Sequence, residues 1–249
     1  MRVSASLVAI TLMAGAPVGA QSKPKLSPKT TLPAHVMCAD LLVPAMPLPA
    51  VWVKGGQHPE LRLTLGRADM IVVSRAPNDG LAVGQRYLVR RLPTGSQASL
   101  PKEGGYVPIR TPGWVTITAL DDLNGLAHID HSCDSIEEGD YLEPYAEPVL
   151  PAPDANVAAP DFTERVQILP GLEGRVLFAD GDSFSIARGT EHGVAVGSRF
   201  AIYRDRHDGK PLMHIGEAIV TDPSATSSKV LLMKTIAAVE TSDLAVPRR

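Results

Sequence analysis

Apolar and polar residues alternate over short stretches separated by turn residues along most of this chain, a period of two that sends successive side chains to opposite faces of β-strands. The clearest stretch runs from Ile71 to Arg91, IVVSRAPNDGLAVGQRYLVRR, and it returns at Phe184 to Arg204 as FSIARGTEHGVAVGSRFAIYR. The two align without a gap. Arg75, Gly80, Ala82, Val83, Gly84, Arg86 and Arg91 recur as Arg188, Gly193, Ala195, Val196, Gly197, Arg199 and Arg204. Tyr87 and Val89, like Phe200 and Ile202, are expected to face inward. Leu81 and Val83, with Val194 and Val196, are expected to cap the core from the loop. The glycines beside them mark turns that call for positive φ or close backbone approach.

The pattern extends on both sides of this unit. Glu60 to Leu65 alternates and turns at Gly66-Arg67-Ala68-Asp69, which predicts a hairpin, and Gly174 to Phe178 is its counterpart. Module one then carries an insertion, Gly95 to Pro112, where module two turns through Arg206 to Gly209. Beyond it Gly113 to Pro144 lies on Gly216 to Pro247, again without a gap, and pairs Asp140 with Asp243. An internal repeat of this kind means tandem modules. The expected fold is all-β: two tandem small β-barrel or sandwich modules of about six short strands each, enough to close on themselves, joined by a Pro/Ala linker. The expected boundaries are a signal peptide at 1–20, a flexible Pro/Lys-rich leader at 21–50, modules at 51–146 and 169–249, and the linker at 147–168. From His35 to Ala50, prolines favour an extended path rather than a helix.

Composition narrows the picture. The 22 prolines and 21 glycines in 249 residues suit short strands and turns. Aromatic residues are 4%, and the formal charge is −3 with basic residues scattered, so nucleic acid is not an expected partner. Arg2, the apolar run Leu7 to Ala14 and the small residues up to Ala20 read as a secretory signal peptide, too short for an ordinary membrane span. The expected location is therefore periplasmic or extracellular, with no stable membrane span after cleavage. An oxidising compartment makes the two cysteines, Cys38 and Cys133, candidates for a disulfide that ties the N-terminal segment to module one. Two separate buried thiols are the alternative. Cys133 aligns with Ile236, an apolar position, which supports a packed environment.

Gly193, Val196, Gly197, Phe200, Tyr203, Gly216, Asp243 and Pro247, with Gly80, Val83, Gly84, Tyr87, Gly113, Asp140 and Pro144 in the first copy, carry a resemblance. Both modules are similar to the small β domain that accompanies LysM repeats in secreted bacterial proteins. They also resemble the C-terminal β domain of the periplasmic flagellar assembly protein T family. The resemblance implies a cell-envelope protein. The chain has no LysM unit, which in such proteins would read the glycan.

No set of residues assembles a reaction. His128-Ile129-Asp130-His131-Ser132-Cys133 is the densest polar cluster, but alternation splits it between two faces, so no metal site is expected. Gly181-Asp182-Ser183-Phe184-Ser185 lacks the last glycine of a nucleophile elbow, and Ser22-Lys23-Pro24-Lys25 stands in the leader without companion motifs. His192 is answered by Asp79, so no catalytic histidine is duplicated; Asp121 and Asp122 are adjacent acids in a turn. No catalytic residue and no cofactor is implied. Arg75, Arg86, Arg188 and Arg199 are the candidate binding residues, able to grip an acidic polymer or partner carboxylates, with internal bridges to Asp or loop carbonyls as the structural alternative. The expected function is a non-enzymatic envelope scaffold that binds another envelope protein. Peptidoglycan binding is the second reading, and an unrecognised hydrolase the third.

Overall fold

The computed structural model describes residues 32–60, 64–94, 105–147, 150, 157–171 and 174–249. The expected signal peptide and the leader up to residue 31 lie outside them, as do most of the module-one insertion and much of the linker. Module one holds β1 (Leu41–Val43), β2 (Val53–Gly56), β3 (Met70–Ser74), β4 (Arg86–Arg91), β5 (Val107–Leu120), β6 (Asn124–Ser132) and β7 (Tyr141–Pro144). Module two holds β8 (Val166–Leu169), β9 (Leu177–Phe178), β10 (Ser183–Ile186), β11 (Arg199–Arg204), β12 (Met213–Pro223), β13 (Ser228–Thr235), β14 (Val239–Glu240) and β15 (Leu244–Pro247). The fold is all-β and has two modules.

In module two the order β10-β13-β12-β11-β15-β8 closes into a six-stranded barrel, which leaves no sheet edge. Module one repeats the order as β3-β6-β5-β4-β7, with β2 on the outer side of β3. Module one stays a curled, half-barrel sheet rather than a closed barrel; its edges approach where Trp52 bridges Tyr141 and Val53 exchanges backbone hydrogen bonds with Asp140 (2.7 Å) and Gly139 (3.0 Å). Gln167 facing Leu244 is the equivalent closure in module two. The inward sets are those that alternation predicts: Tyr87, Val89, Val115, Ile117, Ala127 and Ile129 fill one core, and Phe200, Ile202, Ala218, Val220, Val230 and Leu232 fill the other. Each Val, Leu, Ile or Phe among them contributes about 1.5–3 kcal/mol through burial.

Gly80 and Gly193 turn with φ of 73° and 76°, and four residues on, Gly84 and Gly197 donate N–H to Ile117 and Val220, both at 2.8 Å. Gly113 and Gly216 serve close approach instead. A Cβ there would stand 2.1 Å from the His131 carbonyl oxygen and 2.8 Å from that of Lys234, beside the bulges at which β5 and β12 bend around their barrels.

Several local expectations change. Of the hairpin strand expected at Glu60 to Leu65, residues 61–63 lie outside the described residues; Leu65 bridges Ile136, and β3 has β2 as its outer neighbour. The same crossing recurs where Phe178 pairs with Val239, and all four side chains are buried as plugs of the barrel ends. Leu81 and Val194 cap the cores, but Val83 and Val196 are 61% and 40% exposed, because the tight turn at Gly84 and Gly197 leaves no room to fold them inward. Ile236 is 71% exposed and so lends no packing argument for Cys133. β8 starts inside the stretch read as linker, and Pro160 already bridges Arg248.

The N-terminal segment departs most from expectation. Ala34–Cys38 forms a short helix, α1, entered through Pro33, and β1 adds to the far end of β5. The prolines at 44, 47 and 49 come only after both elements, so nothing in 34–43 forbids them. Leu32, Val36, Met37, Leu41 and Leu42 are all buried; residues 32–43 are a docked strap, not a flexible leader. Cys38 is bonded to Cys133, pinning the strap to module one as the sequence suggested. Among the described residues no helix is long and apolar enough to cross a membrane.

Candidate binding site at the seam between the modules

The outer face of β4 and β5 meets the outer face of β12 and β13 across the strap. Leu88, Ile219 and Leu231 pack with Leu32, Val36, Met37 and Leu150, and Trp114 and Tyr145 lie against them. Comparing the two copies explains why these faces pair and their equivalents do not. Where module one has Leu88, Trp114 and Tyr145, module two has Ala201, Glu217 and Arg248; where module two has Ile219 and Leu231, module one has Thr116 and His128. Apolar anchors stand on the faces that touch, and polar residues take most of the corresponding places on the faces that do not.

A charged lock lies beside the apolar contact. Arg90, 2% exposed, donates to Glu143 (3.0 Å), to Thr111 (2.5 Å) and across the seam to Asp222 (3.4 Å). Lys229, 3% exposed, faces the same Asp222 carboxylate at 3.7 Å and donates to the strap carbonyl of Ala39 at 3.2 Å. Ser227 donates its hydroxyl to the Leu42 carbonyl, and Tyr106 its own to that of Thr226 at 3.3 Å. Module one, module two and the strap are thus held by one network. Burial pushes the Lys229 ammonium down to about 8, with Asp222 pulling the other way. Burial, with Glu143 beside it, pushes the Tyr141 hydroxyl well above its usual value.

Two clefts flank the strap. One, of about 420 Å³, is lined by Val36, Met37, Leu88, Arg90, Glu143 and Lys229. The other, of about 430 Å³, is lined by Cys38, Asp40, Arg110, Cys133, Arg175 and Phe178. Both combine apolar walls with charged side chains.

None of the four candidate arginines lines either cleft. Arg75 donates to Asp79 (2.5 Å) and to the Asp121 carbonyl (3.0 Å). Its counterpart Arg188, with His192 in place of Asp79, pairs with Glu164 at 2.6 Å and keeps a buried Nε without a hydrogen-bond partner. Arg86 is half exposed, 3.3 Å from Asp130 and 5.0 Å over the Tyr145 ring. Arg199 opens β11, opposite Ile219. The other recurring pair is internal in both copies: Arg91 grips Asp140 and Arg204 grips Asp243, each through two hydrogen bonds.

Arg90, Glu143, Asp222 and Lys229 escape a search for repeated residues because none is repeated. Their counterparts are Tyr203, Val246, Ala119 and Leu126. A strand position that is charged in one copy and uncharged in the other is the signal that finds them. Alternation near Cys133 breaks at the bulge beside Trp114: His128 lies 3.1 Å from Asp130, and His131, expected on the inward face with Ile129, instead stacks at 4.3 Å on Trp114 of the outer face. No protein-family model matches this chain, and no curated protein shows significant similarity to it.

Proposed function

We propose that this protein is a non-enzymatic, exported component of the bacterial cell envelope that works as an interaction scaffold. The observation that carries the reading is the three-part lock of Arg90, Asp222 and Lys229 with the strap, in which two buried cations meet one carboxylate and fix the two β modules in one mutual orientation. A fixed pair of barrels presents a defined surface to a partner at little ordering cost. The cystine fits an oxidising compartment, and the resemblance to β domains of secreted envelope proteins points the same way.

Photo-crosslinking from Glu147 and Val196, at the rim of the first cleft, tests the reading in whole cells. A discrete adduct with one envelope protein is the expected result. Adducts with no protein, together with co-sedimentation of the purified chain with peptidoglycan sacculi, would replace the scaffold with a glycan-binding protein. Release of soluble fragments from those sacculi would replace it with a hydrolase.

A further inference from the structure

Cys38 arrives at the seam on the end of α1, while His131 lies near the end of β6 and Cys133 directly follows that strand. One ligand atom from each, the two sulfurs and a ring nitrogen, lies within 4.8 Å of the others. All three residues are partly exposed, and both cysteines line the 430 Å³ cleft, which gives a route in from solvent. Trp114, stacked at 4.3 Å and 13° on the imidazole, fixes the ring plane from behind. The His131 ring makes no hydrogen bond among the described residues, so its nitrogens are open to an ion.

We propose that the reduced form of the chain binds a thiophilic divalent ion, zinc foremost, through Cys38, Cys133 and His131. A dithiol reductant breaks the S–S bond, delivers two electrons and two protons to give two thiols, and leaves as its own disulfide. Zinc then displaces both thiol protons and binds two thiolates and a neutral imidazole, with water completing the tetrahedron. Ligand atoms around tetrahedral zinc stand roughly 3.5 to 3.8 Å apart. Parting the sulfurs from bonding distance to that separation keeps all three groups near their present places. Because Cys38 ends α1, the ion would hold the strap at the point where the cystine holds it. Redox state then selects the fastener, a covalent bond or a metal, without releasing the seam.

The test uses the intact purified chain, oxidised or reduced with a phosphine that contributes no thiol, titrated with zinc and separately with cobalt. The reduced chain is expected to take one ion per molecule and to give the thiolate-to-cobalt charge-transfer band and tetrahedral d–d bands. The oxidised chain is expected to take none, and His131→Ala to weaken binding at least about tenfold. Since His131 is partly exposed, that variant keeps the fold, which the retained cystine and an unchanged circular dichroism spectrum would verify. Absence of stoichiometric binding to the reduced chain overturns the proposal, as does equal binding by the oxidised chain or by His131→Ala.

Discussion

The Arg91 guanidinium holds the Asp140 carboxylate at 2.7 and 2.9 Å and also donates to the Ser135 carbonyl at 2.6 Å. Arg204 repeats every contact, with Asp243 at 2.7 Å twice and the Ala238 carbonyl at 2.7 Å. Each pair latches the last turn of its module to the end of β4 or β11, since the same carboxylates accept the Glu137 and Glu240 N–H groups. Burial pushes the Asp140 carboxyl up against the pull of Arg91 and the Glu137 N–H, so the pair as a whole adds little while either half alone is costly. Arg91→Ala and Arg204→Ala should each cost about 3 kcal/mol, read as a fall in the urea midpoint. Arg91→Met combined with Asp140→Leu should recover most of that loss.

Lys229 sets a stability change with pH. Its folded-state value lies near 8 against the ordinary lysine value of 10.5, so between these values the unfolded chain binds more protons than the folded one. Stability then rises with pH across that window, by up to about 3 kcal/mol, and the cost of burying the charge is felt in full below it. Lys229→Met removes this dependence. The difference in urea midpoint between the variant and the parent should be largest at pH 7, with the variant ahead, and should shrink by pH 10.

The cystine closes a loop with a sequence separation of 95, for which chain entropy gives about 4 to 5 kcal/mol. Cys38→Ser with Cys133→Ser should lower stability by up to that amount. Hydrogen exchange should show where the loss begins: amides of 32–43 should lose protection before those of either barrel.

Two glycine substitutions separate backbone conformation from space. Gly80 has a positive φ and nothing within 4 Å of a Cβ, so Gly80→Ala should cost only the left-handed penalty, roughly 1–2 kcal/mol. Gly113→Ala drives a methyl into the His131 carbonyl and should cost about 3 kcal/mol or more. Thermal melts of the two variants rank them, and equal losses would contradict the close approach seen at Gly113.

Module one's outer face at Thr116 and His128 corresponds to the one that Ile219 and Leu231 offer at the seam. Polar substitution there ends the array as a capping repeat does. Thr116→Ile with His128→Leu should therefore create concentration-dependent association, visible by sedimentation velocity.

The two cores were legible because alternation is a local property, and Tyr87, Val89, Phe200 and Ile202 needed only their neighbours in sequence to be assigned inward. The disulfide followed from the even cysteine count. The seam was not legible, because Val36, Met37, Leu41 and Leu42 announce an apolar segment without naming the surface that covers it. Lys229 stands 190 positions from the carbonyl it binds in that segment, and no periodicity carries information over such a span. Recurrence, which singles out the candidate arginines, also singles out pairs such as Arg91–Asp140 and Arg204–Asp243 that each module needs internally; the groups that join the modules are those that occur once.

When the chain is made, the strap at 32–43 emerges long before its partners in β13. Cys133 becomes available far earlier, so one end of the strap can be fastened to module one while the surface it must finally cover does not yet exist. Until Ser227 and Lys229 are in place, Val36 and Met37 remain an open apolar flank on a half-built molecule. The interval between those two events is when this chain is most exposed to misassociation, and it lengthens with anything that delays completion of the second barrel.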